Sequence, residues 1–388
     1  MSSYNKQPTG HLSGRLLQWL LAYGTFAVPQ AAGPIAFTLL ALPLTGSSSS
    51  GAVLVLAITL AQVAGAVPVL RIGNGFNAVS YLRVLVGLRA VSLVAMALLA
   101  KVGAPFPLLV VAAAAGGLVN GAAFGLLRSV LNHLVRPTGM PRALGMAATL
   151  NELTFVAAPI AASVLGSLID PVFALLVLVV LGTAPALLVP AIPQATAPEP
   201  IRGGERLLRP AILLWLVCSL ATSAVTSAVE IGAVAIAINY GLEPAEGAIF
   251  AVALCVAAVA GGIWVSTRNR VPGPFAVPFL LAFVTFGAAL TAANLSVLAT
   301  LIGAVTIGCF LAPLGTYNSL RLDALSPPNR KAEVFALSRT ANSLGIILTS
   351  ANLTWASVEI TMAISAAVLF AATVAVAIAT FRGRAPRG

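Results

Sequence analysis

Ionisable residues inside long apolar segments are the positions of this sequence best suited to chemistry. Two carboxylic acids, Glu152 and Glu230, and one guanidinium, Arg128, lie several helical turns from the polar flanks of such segments. A charge held in hydrocarbon costs about 2.5 to 3.5 kcal/mol or more, so its presence points to function. Desolvation favours the neutral form of a carboxyl group, so either glutamate could bind and release a proton. Glu230 is the first candidate for proton coupling or cation binding and Glu152 the second, with a helix-packing role as the alternative.

The depths of Arg128 and Glu152 predict that these two residues meet. At 1.5 Å per residue, Arg128 lies about 12 Å before the end of its segment and Glu152 about 15 Å past the start of the next. Consecutive segments run antiparallel, so the two side chains can lie at a similar depth in the membrane. We predict an Arg128–Glu152 ion pair that lines a cavity, or that only holds the two helices together. No other basic residue looks deep enough to form such a pair.

Uncharged polar residues within the apolar segments are candidates for contact with a small molecule. Some of them lie three or four residues apart and therefore share a helix face. Each could equally form a hydrogen bond with a neighbouring helix. The cavity candidates are Tyr23, Gln30, Asn120, Ser223, Ser227 and Asn342.

The elements that must position these residues are apolar segments of roughly 20 to 27 residues, long enough to cross a bilayer. The chain has 388 residues, of which 59% are hydrophobic and 8% charged. We count twelve such segments. Of the 21 Lys and Arg residues, all but Lys101 lie near the chain ends or near every second connection. Because basic connections stay cytoplasmic, both termini are predicted to be cytoplasmic. The protein is predicted to be a multi-pass protein of the plasma (inner) membrane.

The chain is predicted to consist of two similar halves. A polar, proline-containing stretch follows the sixth segment, and short sequence matches recur between the halves at offsets near 190 residues. We predict a six-helix bundle over residues 1–193, a cytoplasmic linker over 194–209 and a second bundle over 210–388. The expected fold is an all-α membrane protein with twelve transmembrane helices, arranged as two pseudo-symmetric six-helix bundles around a central cavity.

The connection after the second segment carries a motif. The stretch from Gly65 to Gly73 resembles the pattern Gly-x-x-x-Asp-Arg-x-Gly: Arg71 and Gly73 fit it, and an apolar residue replaces the Asp. The counterpart connection in the second half carries Arg268. On these residues and the twelve-segment plan, the chain resembles the major facilitator superfamily. The resemblance implies that these connections act in gating, and the basic residues could still meet an acidic helix end such as Glu333.

The fifth segment shows a degenerate form of the pattern found in the drug and proton antiporters of that family. Gly145 and Pro159 match it, and small or hydroxyl residues fill three other positions. Small residues let helices approach closely, and proline bends a helix. The resemblance favours efflux over uptake.

These observations together predict a secondary active transporter that exports small lipophilic or amphipathic organic molecules by alternating access, driven by protons. A metabolite importer or uniporter of the same fold is the alternative. A membrane scaffold or an intramembrane enzyme is a third reading. Against an enzyme, no histidine lies at membrane depth and no clustered pair of carboxylates is evident.

The remaining expectations concern partners. No phosphate-binding loop is present, so no ATP motor is expected in this chain. We expect no cofactor and no metal, since the chain has only two histidines. The net charge of +11 is spread over short connections, so we expect contact with membrane lipids and none with nucleic acid. A monomer is expected from the family resemblance.

Overall fold

The fold consists of helices, and twelve of them form the membrane-crossing plan that the sequence predicts. The computed structural model describes residues 14–47, 49–192, 209–271, 273 and 276–382. Within this part of the chain, nine helical stretches are long and apolar enough to cross a membrane. The other three helices of the plan are α2, α9 and α11; α2 and α9 have 17 residues each, and α11 has 25. The helices are α1 (Gly14–Thr45), α2 (Ser49–Gly65), α3 (Ala78–Lys101), α4 (Phe106–Leu134), α5 (Met140–Leu168), α6 (Pro171–Thr183), α7 (Pro210–Asn239), α8 (Ala248–Arg268), α9 (Ala276–Ala292), α10 (Val297–Leu325), α11 (Lys331–Trp355) and α12 (Val358–Arg382).

The helices form two bundles, α1–α6 and α7–α12, each with its own apolar core. The core of the second bundle contains only residues between Ile212 and Val376. The first bundle has two clusters, one of which also takes in Ala336 of α11. The predicted linker, residues 194–209, lies outside the described residues except for Arg209. The domain bounds therefore stay a prediction.

Local sequence signals explain where several helices begin and end. Asn77, Asp170 and Ser296 cap α3, α6 and α10, because their side chains accept hydrogen bonds from otherwise unpaired amides of the first turn. Helix α6 ends at Thr183, and a short helix, Pro185–Leu188, follows it. Proline has no N–H to donate to the carbonyls of α6, so the break leaves acceptors free for side chains of other helices.

The two bundles meet most closely near one face of the molecule. We call this the basic face. It carries the N-terminal end of α1, the C-terminal end of α12 and the connections 66–77, 135–139 and 326–330. At the crossing of α4 and α11, a Cβ on Gly125 would lie 2.3 Å from the carbonyl oxygen of Ala332. At the crossing of α5 and α8, a Cβ on Gly145 would lie 2.9 Å from the carbonyl oxygen of Gly262. Only glycine allows these backbones to approach so closely.

Polar contacts also join the bundles at the basic face. Arg71 lies 3.8 Å from Glu333 of α11, so the basic connection does meet the acidic helix end. The backbone amide of Arg142 donates to Asn269 Oδ1 at 3.0 Å. Asn132 of α4 donates to Asp323 of α10. The bundles are therefore closed at the basic face. If that face is cytoplasmic, as the sequence predicts, the cavity is closed toward the cytoplasm.

Candidate functional site

A cavity of about 300 Å³ lies between the bundles and gathers most of the predicted cavity residues. Its walls come from α1, α4 and α5 of the first bundle and from α7, α10 and α11 of the second. Apolar side chains such as Leu144, Phe155 and Ile346 supply much of the lining. The sequence-predicted residues that line it are Tyr23, Gln30, Arg128, Glu152, Ser223, Ser227, Glu230 and Asn342.

Glu152 and Glu230 meet in this cavity, and Cys255 of α8, which is not one of its lining residues, lies beside them. One ligand atom from each of the three residues lies within 4.8 Å of the others. The expectation that the apolar segments hold no clustered carboxylates is therefore wrong. Counting residues from the loops put Glu230 in the outer half of the membrane and Glu152 nearer the middle. That count assumes straight, parallel helices, whereas packed helices tilt, so it could not show that α5 and α7 bring these side chains together.

This cluster can hold a cation. Two carboxylates in close contact repel one another, and a bound proton relieves that repulsion. Carboxylates and thiolates are also metal ligands, so Glu152, Glu230 and Cys255 could together hold a divalent cation. The cluster spans both bundles, because Glu152 belongs to α5 while Glu230 and Cys255 belong to α7 and α8.

Arg128 does not form the predicted ion pair with Glu152. Its Nε and Nη2 atoms donate to Ser319 Oγ at 2.9 and 2.7 Å, and Nη1 donates to Asn132 Oδ1 at 3.1 Å. Along their helices, Arg128 lies about 9 Å from the basic face and Glu152 about 18 Å from it. The guanidinium therefore finds partners at its own level on α10 of the other bundle, and its ring neighbour is Phe335, 4.3 Å away.

Arg128 is also not the only deep basic residue. Arg339 of α11 lines the same cavity, donates to Gln30 of α1 and lies 4.9 Å from the ring centre of Phe124. Arg89 is 5% exposed and lies inside the first bundle. The charge pattern of the sequence places both near connections, because it counts every basic residue toward the nearest one. A repeated spacing could have revealed Arg339: Phe124 and Arg128 on α4, and Phe335 and Arg339 on α11, lie four residues apart.

Asn120 does not line the cavity between the bundles; it lines a smaller pocket inside the first bundle, which shares Gln30 with that cavity. Its Nδ2 donates to Gln62 Oε1 at 2.5 Å, and its Oδ1 accepts from Arg89 Nη1 at 2.8 Å. Gln62 Nε2 then donates to Ser343 Oγ of α11 at 2.8 Å. Asn120 therefore belongs to a buried polar chain that begins in the first bundle and ends on the second. The prediction that it lines the cavity is wrong.

The sequence matches the family model of the Major Facilitator Superfamily over residues 16–350. This chain belongs to the major facilitator superfamily. The protein is therefore a membrane transporter by family, with the twelve-helix fold described above. No curated protein shows a significant sequence match to it.

Solved transporter structures share this fold at low sequence identity. A bacterial homologue of the iron transporter ferroportin, in an outward-facing state, matches with a TM-score of 0.78 and 17% identity over 95% of this chain and 99% of that chain. The Escherichia coli fucose:proton symporter FucP matches with a TM-score of 0.71 and 14% identity over 93% and 98%. The human organic anion transporter MFSD10 (TETRAN) matches with a TM-score of 0.67 and 13% identity over 94% and 98%. These likenesses show the superfamily fold alone.

The two glycines of the motif stretch, Gly65 and Gly73, take up close-packed positions, whereas Arg268 does not. A Cβ on Gly65 would lie 2.0 Å from the carbonyl oxygen of Leu118, and one on Gly73 would meet the ring of Tyr81. Arg268 is exposed, with its guanidinium carbon 5.2 Å from the ring centre of Trp264. The gating role of these residues stays a prediction.

Pro159 lies inside α5, and Gly145 lies where α5 crosses α8. We expect Gly145→Val to shift the protein toward a state open at the basic face. The new side chain would begin 2.8 Å from Ser266 N, and overpacking of about 1 to 3 kcal/mol corresponds to a shift of roughly five- to hundredfold in the equilibrium. Gly315 offers a reporter, because it lines the cavity and a Cβ there meets nothing within 4 Å.

The measurement is labelling of Gly315→Cys by an impermeant maleimide, with the native cysteines replaced, in vesicles of known orientation. Labelling from the basic face should rise in Gly145→Val. Gly87→Val is the matched control, because a Cβ at Gly87 also meets nothing within 4 Å. Equal labelling in all three backgrounds would show that the α5–α8 crossing does not hold this face closed.

Proposed function

We propose that the protein is a proton-coupled exporter of small lipophilic or amphipathic organic molecules that works by alternating access. The contact between Glu152 and Glu230 carries the proposal. It places two ionisable groups from opposite bundles in the central cavity, next to apolar walls that suit a lipophilic body. The efflux direction rests on the antiporter-like pattern at Gly145 and Pro159.

The mechanism follows from where the two carboxyl groups sit. In the state closed at the basic face they are in contact, and a shared proton offsets their repulsion. When the bundles rock, α5 moves relative to α7 and α8. The two carboxyl groups then separate and no longer share a proton. A proton held by the pair on one side of the membrane can then be released on the other. Ser227 and Ser223, about one and two turns before Glu230 on α7, line the same cavity.

The test is proton movement in vesicles that contain the purified protein. An outwardly directed gradient of an amphipathic fluorescent compound should drive protons the opposite way, and an imposed pH gradient should accelerate transport of the compound. Glu230→Gln should lower the coupled flux by at least tenfold, because an amide cannot carry a proton. Transport that is unchanged by Glu230→Gln would remove this residue from the coupling.

Two variants serve as controls. Glu359→Gln removes a carboxyl group of α12 that accepts from Asn239, away from the cavity, and should leave coupling intact. Cys255→Ala separates proton coupling from metal binding. A proton shared by two carboxyl groups does not need the thiol, whereas a divalent cation held by all three residues does. Loss of cation-stimulated transport in Cys255→Ala would favour a metal over a proton at this cluster.

A further inference from the structure

Two arginines at the inner end of the cavity are held by a reciprocal arrangement of aromatic rings. Arg128 and Phe124 lie on α4, and Arg339 and Phe335 lie on α11 of the other bundle. The guanidinium carbon of Arg128 lies 4.3 Å from the ring centre of Phe335, and that of Arg339 lies 4.9 Å from the ring centre of Phe124. Each arginine therefore packs on the phenylalanine of the opposite helix. A four-residue step rises about 6 Å, so the two arginine–phenylalanine contacts are offset by about one turn along the helices.

The positive charges of this pair are not balanced by carboxylates. Among the residues that the structure describes, the carboxylate that acts on Arg128 is Asp323, which lies beyond Asn132 and forms an ion pair with Lys331 at 3.0 Å. Within the described part of the chain, no carboxylate lies within ion-pair distance of Arg339, and its buried Nε has no hydrogen-bond partner. Glu152 and Glu230 line the same cavity farther from the basic face.

An unbalanced pair of buried cations is costly without a ligand. Removing a charge from water costs several kcal/mol per ion in real proteins, and an opposite charge offsets that cost. A guanidinium presents its N–H donors as a planar fork that fits the two oxygens of a carboxylate, sulfonate or phosphate group. The rings of Phe124 and Phe335 limit the side-chain motion of both arginines, so this site is pre-organised for such a group.

We propose that the cavity binds organic anions, with the acidic group docked between Arg128 and Arg339 and the apolar body against side chains such as Leu144, Phe155 and Ile346. This inference rests on the proposed function and names the chemical class of its substrate. It adds a positively charged anchor to a cavity whose other lining residues are uncharged or acidic. Tyr23, which lines the same cavity and contacts Phe124, can donate its hydroxyl to the same acidic group.

The test compares organic acids with their primary amides, which have the same carbon skeleton and no charge. Equilibrium binding of 1-naphthoate, 4-phenylbutyrate and octanoate, each against its amide, is measured by titration calorimetry on the protein in nanodiscs. We expect at least one acid to bind roughly tenfold or more tightly than its amide, since hydrogen bonds between charged groups are about twice as strong as those between neutral groups. Arg128→Gln and Arg339→Gln should each remove most of this preference.

The controls separate the anion site from general effects. Arg136→Gln changes an exposed arginine just beyond the end of α4 and should keep the preference. Arg339→Lys keeps the positive charge but not the planar fork of N–H donors, so it should retain only part of the preference for the acid. The proposal therefore does not depend on a glutamine variant that fails to fold. Acids that bind no better than their amides, or a preference that survives in both glutamine variants, would overturn the proposal. Binding is measured without a gradient, so the two proposals can fail separately. A protein that binds acids more tightly than amides but shows no proton-coupled transport would contradict only the proposed function.

Discussion

Arg89→Leu is expected to destabilise the first bundle more than any other single change considered for this protein. The guanidinium of Arg89 donates to Gly182 O at 2.5 Å, to Phe26 O at 3.2 Å and to Asn120 Oδ1 at 2.8 Å, so it ties α3 to α6, α1 and α4. Gly182 lies in the last turn of α6, next to the break before Pro185, where the carbonyl has no helical amide to accept from. Leucine would leave these acceptors unpaired in a buried place.

The expected loss is about 3 to 5 kcal/mol, because each buried acceptor without a partner costs about 1 to 3 kcal/mol. It would be measured as a fall in the midpoint of thermal unfolding in detergent and in the yield of monodisperse protein. Arg83→Leu is the matched control on the same helix, because that side chain is exposed. Arg89→Lys should fall between the two, since an ammonium cannot reach three acceptors as a fork does. Similar unfolding midpoints for Arg89→Leu and Arg83→Leu would contradict this role.

The second large effect is expected at the carboxyl pair. If Glu152 and Glu230 share one proton, Glu152→Gln, Glu230→Gln and the double variant should lower proton-coupled transport to the same level, at least tenfold below the unchanged protein. Residues that act as a unit are not additive, and a double-mutant cycle measures this directly. Binding of an organic acid at Arg128 and Arg339 should persist in all three variants, because that site lies nearer the basic face.

The measurement is the proton flux driven by a gradient of transported compound, for the four proteins side by side. Two independent proton sites would give a different result. Each single variant would then lower the proton flux by its own factor, and the double variant would lower it by the product of the two factors. Glu359→Gln again serves as the control carboxyl group. A double variant that still moves protons at the original rate would show that coupling occurs elsewhere.

The span plan could be predicted from the sequence because it depends on local properties. Each apolar segment must cross the bilayer on its own, and each basic connection biases one side, so the pattern adds up along the chain. The motif residues Gly65, Arg71 and Gly145 could be identified in the same way. The contact between Arg71 and Glu333 could also be predicted from the sequence, because both residues lie at helix ends on the basic face.

The ion pair of Arg128 with Glu152 and the placement of Asn120 in the cavity were wrong for one reason. The first prediction used depth along a helix and assumed that consecutive helices are partners, and the second used only the position of a polar residue within an apolar segment. Arg128 instead bonds to Ser319, and Asn120 to Arg89 and Gln62. Partner choice depends on the tilt of each helix and its rotation about its axis, which residue counting does not contain.

The sequence by itself determined that this is a twelve-helix membrane protein of two similar halves and that ionisable groups lie within its spans. Only the tertiary structure decided which of those groups meet. It joins Glu152 to Glu230 and Cys255, and it places Arg128 and Arg339 on each other's aromatic neighbours. These contacts are made between bundles, across glycine crossings such as those at Gly125 and Gly145, so they depend on how closely distant parts of the chain can pack.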